Sequence, residues 1–376
     1  MGVAFKAGIL GGGLQGNEAA CLARWAGWES VLADARPGAP AQGLTDSFVN
    51  LEIKTKADLD RAFRSCDVVI PACEHWPTLK LLSEWGASGS GCVAFDPEAY
   101  LLSHDKQRSK ELFIKAGAPT PRSWPEASFP LIAKPVDSSG SRGVRHLEDE
   151  KQLKRLFPNF KTEGWIVEEY CPGPSYSLEI SGRPGRYKAW SSTALIMDDV
   201  YDCRRVHLPT DLDPETDLYF KEVSLSIAET LKLRGLMDIE IILAPQGLRV
   251  LEIDARLPSQ TPAVVLWGSG ENLLTRLVEN FLSPPPIEAA LKSYPAVIYE
   301  HVTFNNGALS FQGEHVLSEA GILRLEADFF GADWAITDFS PERKTWTAAL
   351  IICDQHTAAA EARRDEAIDR ILGDAA

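Results

Sequence analysis

Met237-Asp238-Ile239-Glu240-Ile241-Ile242-Leu243-Ala244 is followed by Pro245-Gln246-Gly247 and then by Leu248-Arg249-Val250-Leu251-Glu252-Ile253-Asp254-Ala255-Arg256. Acidic and apolar residues alternate with a period of two, the pattern of strands with one buried face, and the Pro-Gln-Gly turn joins them as a hairpin. The alternation points Asp238 and Glu240 to one face, and Glu252 and Asp254 to one face. Antiparallel pairing then makes Glu240 and Glu252 near neighbours. Clustered carboxylates repel each other, and a structural hairpin gains nothing by stacking them without a cation. Hard oxygen ligands suit Mg²⁺, which also bridges nucleotide phosphates. The competing reading is a solvent-facing acidic hairpin with Arg256 as a surface charge. On the metal reading, which we adopt, Arg256 stabilises a charged transferring group.

Upstream, Leu131-Ile132-Ala133-Lys134-Pro135 places a lysine at the end of a buried strand. A charge there costs several kcal/mol unless it is paired, so Lys134 should meet an anion. The next segment, Asp137-Ser138-Ser139-Gly140-Ser141-Arg142-Gly143-Val144, is a small loop rich in backbone N–H donors that can fold over phosphates.

At the N-terminus, Gly11, Gly13 and Gly16 fit GxGxxG between a strand and a helix, and Asp34 ends the next strand. Such a turn lets a phosphate approach a helix N-terminus, while the acid can hold a ribose hydroxyl. Two readings stay open at this point: an NAD-dependent oxidoreductase, or a turn that merely starts an α/β domain or holds another small ligand. Strands at 3–10, 30–34 and 67–71 alternate with helices at 17–26, 59–65 and 77–85, which predicts a doubly wound parallel sheet. A helix over 106–116 stops at Gly117 and the prolines behind it. Short strands follow at 131–134, 165–169, 176–180 and 187–193, then a long helix over 218–233. A helix over 272–281, a Pro284-Pro285-Pro286 linker, a strand-rich piece and a final helix from about Ala358 complete the chain.

The 376 residues exceed one ordinary core, and the division expected is 1–100, 101–166 and 167–376, with the strand-rich extension beginning near 283. A net charge of −15 disfavours general nucleic-acid binding. Seven cysteines without CxxC spacing fit reduced thiols rather than a disulfide framework. No apolar run approaches the roughly 20 residues that cross a bilayer, and no signal peptide is recognisable, so a cytoplasmic protein is expected. The histidines 75, 104, 207 and 301 share no ligand spacing, and Trp25 and Trp28 read as packing or lid residues rather than a base-stacking platform.

Together, Lys106, the Lys134 strand, the Gly-rich loop, Glu168-Glu169-Tyr170 with Gly173, and the Glu240…Glu252-x-Asp254-x-Arg256 hairpin resemble the ATP-grasp ligases across about residues 1–282. The resemblance implies a Rossmann-like N-terminal domain, a two-lobed ATP-grasp module and a carboxylate–amine ligase that forms ADP. It further implies that Lys106 and Lys134 hold the α- and β-phosphates, with Ser138 and Ser139 in the covering loop. Glu168, Glu169 and Tyr170 would line the adenine pocket, Glu240, Glu252 and Asp254 would hold Mg²⁺, and Arg256 would support the acyl phosphate. Two positions depart from the family pattern: Asp254 stands where Asn is usual, and Ser175 where a ribose-binding Glu is usual.

A narrower likeness rests on Gly12–Gly16, Asp96–Tyr100, Tyr201-Asp202-Cys203 and above all Glu252–Pro262. These are similar to the ATP-grasp group that joins the carboxylate of 3-methyl-D-ornithine to the ε-amine of L-lysine in pyrrolysine biosynthesis. Both substrates are cationic, so their ammonium groups need carboxylates. Glu74, beside Leu14 and Gln15, is the candidate for lysine. Glu179 and Asp202, with Ser259, Gln260 and Thr261, are the candidates for methylornithine. The alternatives kept are another amino-acid pair, and a nucleotide-binding protein or NAD-dependent oxidoreductase built on the glycine turn.

Overall fold

The computed structural model describes residues 4–137, 140, 142–285 and 292–373. Its N-terminal part is a parallel sheet. Strands β1 (Lys6–Leu10), β2 (Glu29–Asp34), β3 (Ser47–Asn50) and β4 (Val68–Pro71) pair in the order β3-β2-β1-β4. Helix α1 (Leu14–Trp25) crosses from β1 to β2 and α2 (Lys56–Phe63) from β3 to β4, and α3 (Trp76–Ala87) follows β4. The strands are apolar on both faces, as a sheet sandwiched between helices requires. α4 (Pro97–Ser103), capped by the Asp96 carboxylate on the Ala99 N–H, leads into α5 (Lys106–Lys115), capped by Asp105.

A small antiparallel sheet follows. β5 (Leu131–Pro135) is flanked by β6 (Arg145–Leu147) and β7 (Trp165–Glu169), with α6 (Glu150–Leu156) between the last two. The rest of the chain builds one eleven-stranded sheet. It begins with β8 (Ser175–Arg183), β9 (Arg186–Ala189), β10 (Thr193–Met197) and β11 (Cys203–Leu208), and after α7 (Pro214–Leu231) come β12 (Gly235–Ala244) and β13 (Gly247–Asp254). Helices α8 (Thr261–Ser269) and α9 (Leu273–Val278) then return the chain to β14 (Ala296–Asn305), which hydrogen-bonds to β11. β15 (Ala308–Phe311), α10 (His315–Glu319), β16 (Arg324–Phe329), β17 (Ala332–Thr337), β18 (Thr345–Asp354) and α11 (Thr357–Gly373) finish the molecule. The piece after Ser283 therefore continues the same sheet through the β11–β14 pairing. Among the described residues no helix is long and apolar enough to cross a membrane.

One strand expectation is corrected. Residues 187–193 do not form a single strand: β9 ends at Ala189 and β10 starts at Thr193. Between them the Trp190 N–H still donates to the Glu179 carbonyl of β8, while the side chains of Trp190 and Ser192 bond to other elements. The indole N–H donates to Ser181 Oγ at 2.9 Å, and the Ser192 hydroxyl donates to Asp217 on α7. The helix expected over 272–281 is shorter, Leu273–Val278, with Asn272 as its N-cap.

The β12–β13 hairpin pairs Glu240 with Glu252 and Asp238 with Asp254. Its other face, with Ile239, Ile241 and Ile253, enters a core shared with Leu178 and Ile180 of β8 and Phe220 and Ile227 of α7. A register shift after Glu240 leaves Leu251 as the extra residue. This bulge lets the consecutive residues Leu251 and Glu252 both face the cavity described next, which regular alternation forbids.

Candidate active site

A cavity of about 300 Å³ opens where the small sheet, the large sheet and the first turns of the N-terminal part meet. Its cationic wall comes from α5 and β5. Lys106, the first residue of α5, donates to Glu252 at 3.0 Å. Lys134 on β5 pairs with Glu168 on β7 at 2.8 Å, so the buried lysine does meet an anion. Burial opposes the Lys134 charge, but Glu168, with Glu252 and Glu240 farther off, holds its pKa above the ordinary value.

The acidic wall is the hairpin. Asp238, Glu240, Glu252 and Asp254 all line the cavity. Burial first, and then the charge of Glu252 and other neighbouring acids, pushes the Glu240 carboxyl up to about 8. Burial and Asp254 raise Asp238 well above the usual carboxylate range. Asp254 is also raised by burial, although Arg256 works against the shift. Such crowding fits a hard cation. Among the described residues no three side chains converge as a preformed metal site. Mg²⁺ commonly takes only one or two carboxylates and completes its shell with phosphate oxygens and water, so the donor set suits a metal that arrives with nucleotide.

Arg256 is 7% exposed and is no surface charge. It donates to Asp254 at 2.6 Å and to Glu74, beyond β4, at 2.7 Å. With its amide oxygen turned toward the guanidinium, Gln15 accepts from the same group at 3.2 and 3.3 Å. One side chain thus ties the hairpin to the N-terminal sheet. On the far side, Gln260 donates to Glu314 at 2.7 Å and Ser259 also donates to it. Asp202 bonds His315 and lines the cavity with Ser259, Gln260 and Thr261.

The cavity therefore gathers Gln15, Glu74, Lys106, Lys134, Glu168, Glu169 and Tyr170 with the hairpin acids, Arg256, Asp202 and residues 259–261. Gly140 and Val144 of the Gly-rich loop line it as well, whereas Ser138 and Ser139 lie outside the described residues. Two sequence candidates stand off its wall. Leu14 packs against the core beneath α1. Glu179 is fully buried on β8, in register with Asp238, and burial pushes its carboxyl up to about 7.

Three residues escaped the sequence reading as site residues. Asp238 was visible in the alternation. Lys110, which donates to Glu168 at 2.6 Å, follows Lys106 by one helical turn, a spacing that would have placed both on one face of α5. Glu314 carried no local signal, since its partners lie 54 and 55 residues away.

Asp34 accepts the Gly12 N–H of the glycine turn and the Arg36 N–H just beyond β2, each at 2.7 Å, so both of its carboxylate oxygens are engaged by backbone. A Cβ on Gly16 would stand 2.3 Å from the Gly11 carbonyl oxygen, and one on Gly12 would stand 2.7 Å from Ala39 Cβ. Close packing accounts for Gly11, Gly12 and Gly16, whereas a Cβ on Gly13 would meet nothing within 4 Å; these contacts and those of Asp34 support the reading of the turn as the start of an α/β domain.

Residues 103–260 match the model of the ATP-grasp domain. The chain is 38% identical over 312 residues to a 3-methyl-D-ornithine–L-lysine ligase of Methanosarcina mazei, covering 82% of this chain and 81% of that one. It is 39% identical over 312 residues to the Methanosarcina acetivorans protein of the same name, covering 82% and 83%. Among solved structures, the biotin carboxylase of Campylobacter jejuni in complex with β,γ-ATP shares the fold, with a TM-score of 0.74 at 16% identity over 98% of this chain and 91% of that one. The chain belongs to the 3-methyl-D-ornithine–L-lysine ligase family of ATP-grasp enzymes.

Proposed function

We propose that this protein uses ATP to join the carboxylate of 3-methyl-D-ornithine to the ε-amine of L-lysine, releasing ADP and phosphate, as a step of pyrrolysine biosynthesis. The observation that carries the reading is the cavity in which Lys106 and Lys134 face the hairpin acids while Arg256 reaches both Asp254 and Glu74.

A carboxylate does not condense with an amine unaided, so its oxygen must first accept a phosphoryl group from ATP as an acyl phosphate. Lys106 and Lys134 bind the phosphates, and Glu168, Glu169 and Tyr170 form the hinge against which adenine lies. Glu240, Glu252 and Asp254 would hold Mg²⁺, whose charge offsets that of the phosphates when it is bound. Arg256 is placed to hold the reacting acyl group, with Asp254 and Glu74 fixing its guanidinium. Glu74 and Gln15 bind lysine beside the first turn of α1. Asp202, Ser259, Gln260 and Thr261 bind methylornithine, joined by Glu314, a carboxylate well placed to meet an ammonium.

The attacking amine must be neutral, yet free lysine has a pKa of about 10.4. Desolvation in the closed cavity favours the neutral amine, and the same exclusion of water protects the acyl phosphate from hydrolysis.

The test is incubation of the purified protein with ATP, Mg²⁺, L-lysine and either 3-methyl-D-ornithine or D-ornithine, following ADP release and product mass. A product lighter than its two amino acids by one water, formed only with both present, is the expected result. ADP release only with some other pair overturns the substrate assignment, and no ADP with any pair overturns the ligase reading itself.

A further inference from the structure

Glu168 lies between two ammonium groups. Its Oε1 meets Lys134 at 2.8 Å and its Oε2 accepts from Lys110 at 2.6 Å, so each oxygen serves a different lysine. Glu168 is 4% exposed and Lys110 is 7% exposed. Lys110 donates a second bond to the Pro121 carbonyl at 2.7 Å, which pins its ammonium in place. Lys134 faces the cavity and Lys110 stands off it. Lys106 and Lys110 lie one turn apart on α5, so the helix presents one lysine to the acidic wall and the other to the hinge strand β7.

A single buried carboxylate does not need two lysines for its own neutrality, since Lys134 alone would satisfy its charge. The cost arises when Lys134 acts on a ligand. Each contact that Lys134 makes with a phosphate weakens its hold on Glu168. Without another partner, a desolvated carboxylate would then be left uncompensated, which is strongly unfavourable. Lys110 removes that penalty. The trio carries one net positive charge with Lys110 present and none without it.

We propose that Lys110 is a positioning residue for nucleotide binding: by holding Glu168, it leaves the Lys134 ammonium available to a phosphate. The inference rests on the reading of Lys134 as a phosphate ligand given under Proposed function. It assigns Lys110 no contact with substrate.

The test is direct binding of ATP and of ADP, each with Mg²⁺, by titration calorimetry, which needs neither amino acid. The proteins are the unaltered chain, Lys110→Met, Lys110→Gln, Lys110→Arg, Glu168→Gln and the Lys110→Met/Glu168→Gln double variant. Lys110→Met is expected to weaken both nucleotides about tenfold or more. Lys110→Gln keeps a donor for Glu168 but loses the charge, and is expected to weaken binding to a similar degree. Lys110→Arg is expected to stay close to the unaltered protein. In the double variant, neutralising Glu168 frees Lys134 again, so Glu168→Gln should cost less affinity, or gain some, in the Lys110→Met background compared with its effect alone.

Full affinity in Lys110→Gln, or additive effects in the double variant, overturns the proposal, because a lysine that only props the fold predicts both. If Lys110→Met does not fold, the Lys110→Gln and Lys110→Arg pair decides alone. Failure of the unaltered chain to bind ATP would instead strike the nucleotide reading on which the inference rests.

Discussion

The turn after β1 and the β12–β13 hairpin both place acidic side chains where a strand ends, and they treat those acids in opposite ways. At the turn, one Asp34 oxygen accepts the Gly12 N–H and the other accepts the Arg36 N–H just beyond β2, and Gly12 and Gly16 are tightly packed. At the hairpin, four carboxylates line one cavity, Asp238 Oδ1 has no hydrogen-bond partner among the described residues, and burial holds Glu240 up at about 8. A native fold that leaves acids crowded and short of donors is keeping them for something else. The glycine pattern is equally visible in sequence, but the acid that accompanies it, Asp34, is already engaged by backbone N–H groups.

The sharpest way to break this contrast is to neutralise one member of each region. Glu252→Gln should lower turnover by roughly 10³-fold or more, since it removes a carboxylate from the face where phosphate charge must be offset. Its melting temperature should not fall, because the substitution also relieves repulsion with Glu240. Turnover within a few-fold of the unaltered protein would overturn the metal role.

Gly16→Ala is the structural counterpart. The new Cβ would meet the Gly11 carbonyl oxygen at 2.3 Å, so β1 and α1 must move apart. A loss of about 2–4 kcal/mol in urea unfolding is expected. Unchanged stability would mean that packing does not require this glycine.

Glu18 extends the comparison to an acid buried away from the hairpin. It is 2% exposed on α1, accepts the Gln260 N–H at 3.3 Å, and burial pushes its carboxyl up to about 8. The folded state therefore holds a proton that the unfolded chain releases near its ordinary value of 4.5. Stability from this group is present below that ordinary value and is lost as pH rises toward 8, at roughly 1 kcal/mol per pH unit. Denaturation followed across pH 5 to 8 should show a shallower fall in Glu18→Gln; an identical slope in both proteins would contradict the assignment.

The smallest effect belongs to Asp34→Asn, about 1 kcal/mol of stability from one weakened backbone clamp. Ligation rates measured alongside should stay unchanged. A large loss of ligation would return the glycine turn to the list of ligand sites.

Much of this was legible beforehand because it was local. The two strands and the tight turn follow from period-two alternation, but regular pairing outward from the turn would set Glu240 opposite Leu251, and the bulge at Leu251 is what brings Glu240 opposite Glu252. The need of Lys134 for an anion follows from a lysine in an apolar strand, although its identity as Glu168 is a property of the β5–β7 pairing. The expectation for residues 187–193 failed because the alternation stops at Ala189-Trp190 and Ser191-Ser192, where the chain passes from β9 to β10. That Trp190 and Ser192 turn their side chains to Ser181 and Asp217 is decided by the fold.

The sequence by itself determined most element types and the period-two acids of each hairpin strand, because these depend on neighbours within one element, and the order of its motifs carried the resemblance to the ATP-grasp ligases. Only the tertiary structure decided that Arg256 meets Glu74 across 182 positions, that Lys110 shares Glu168 with Lys134, and that Glu314 reaches Gln260 from the strand-rich C-terminal piece. Those contacts depend on how the three sheets pack around one cavity. Periodicity can place a side chain on a face, but it cannot say which distant strand or helix that face will meet.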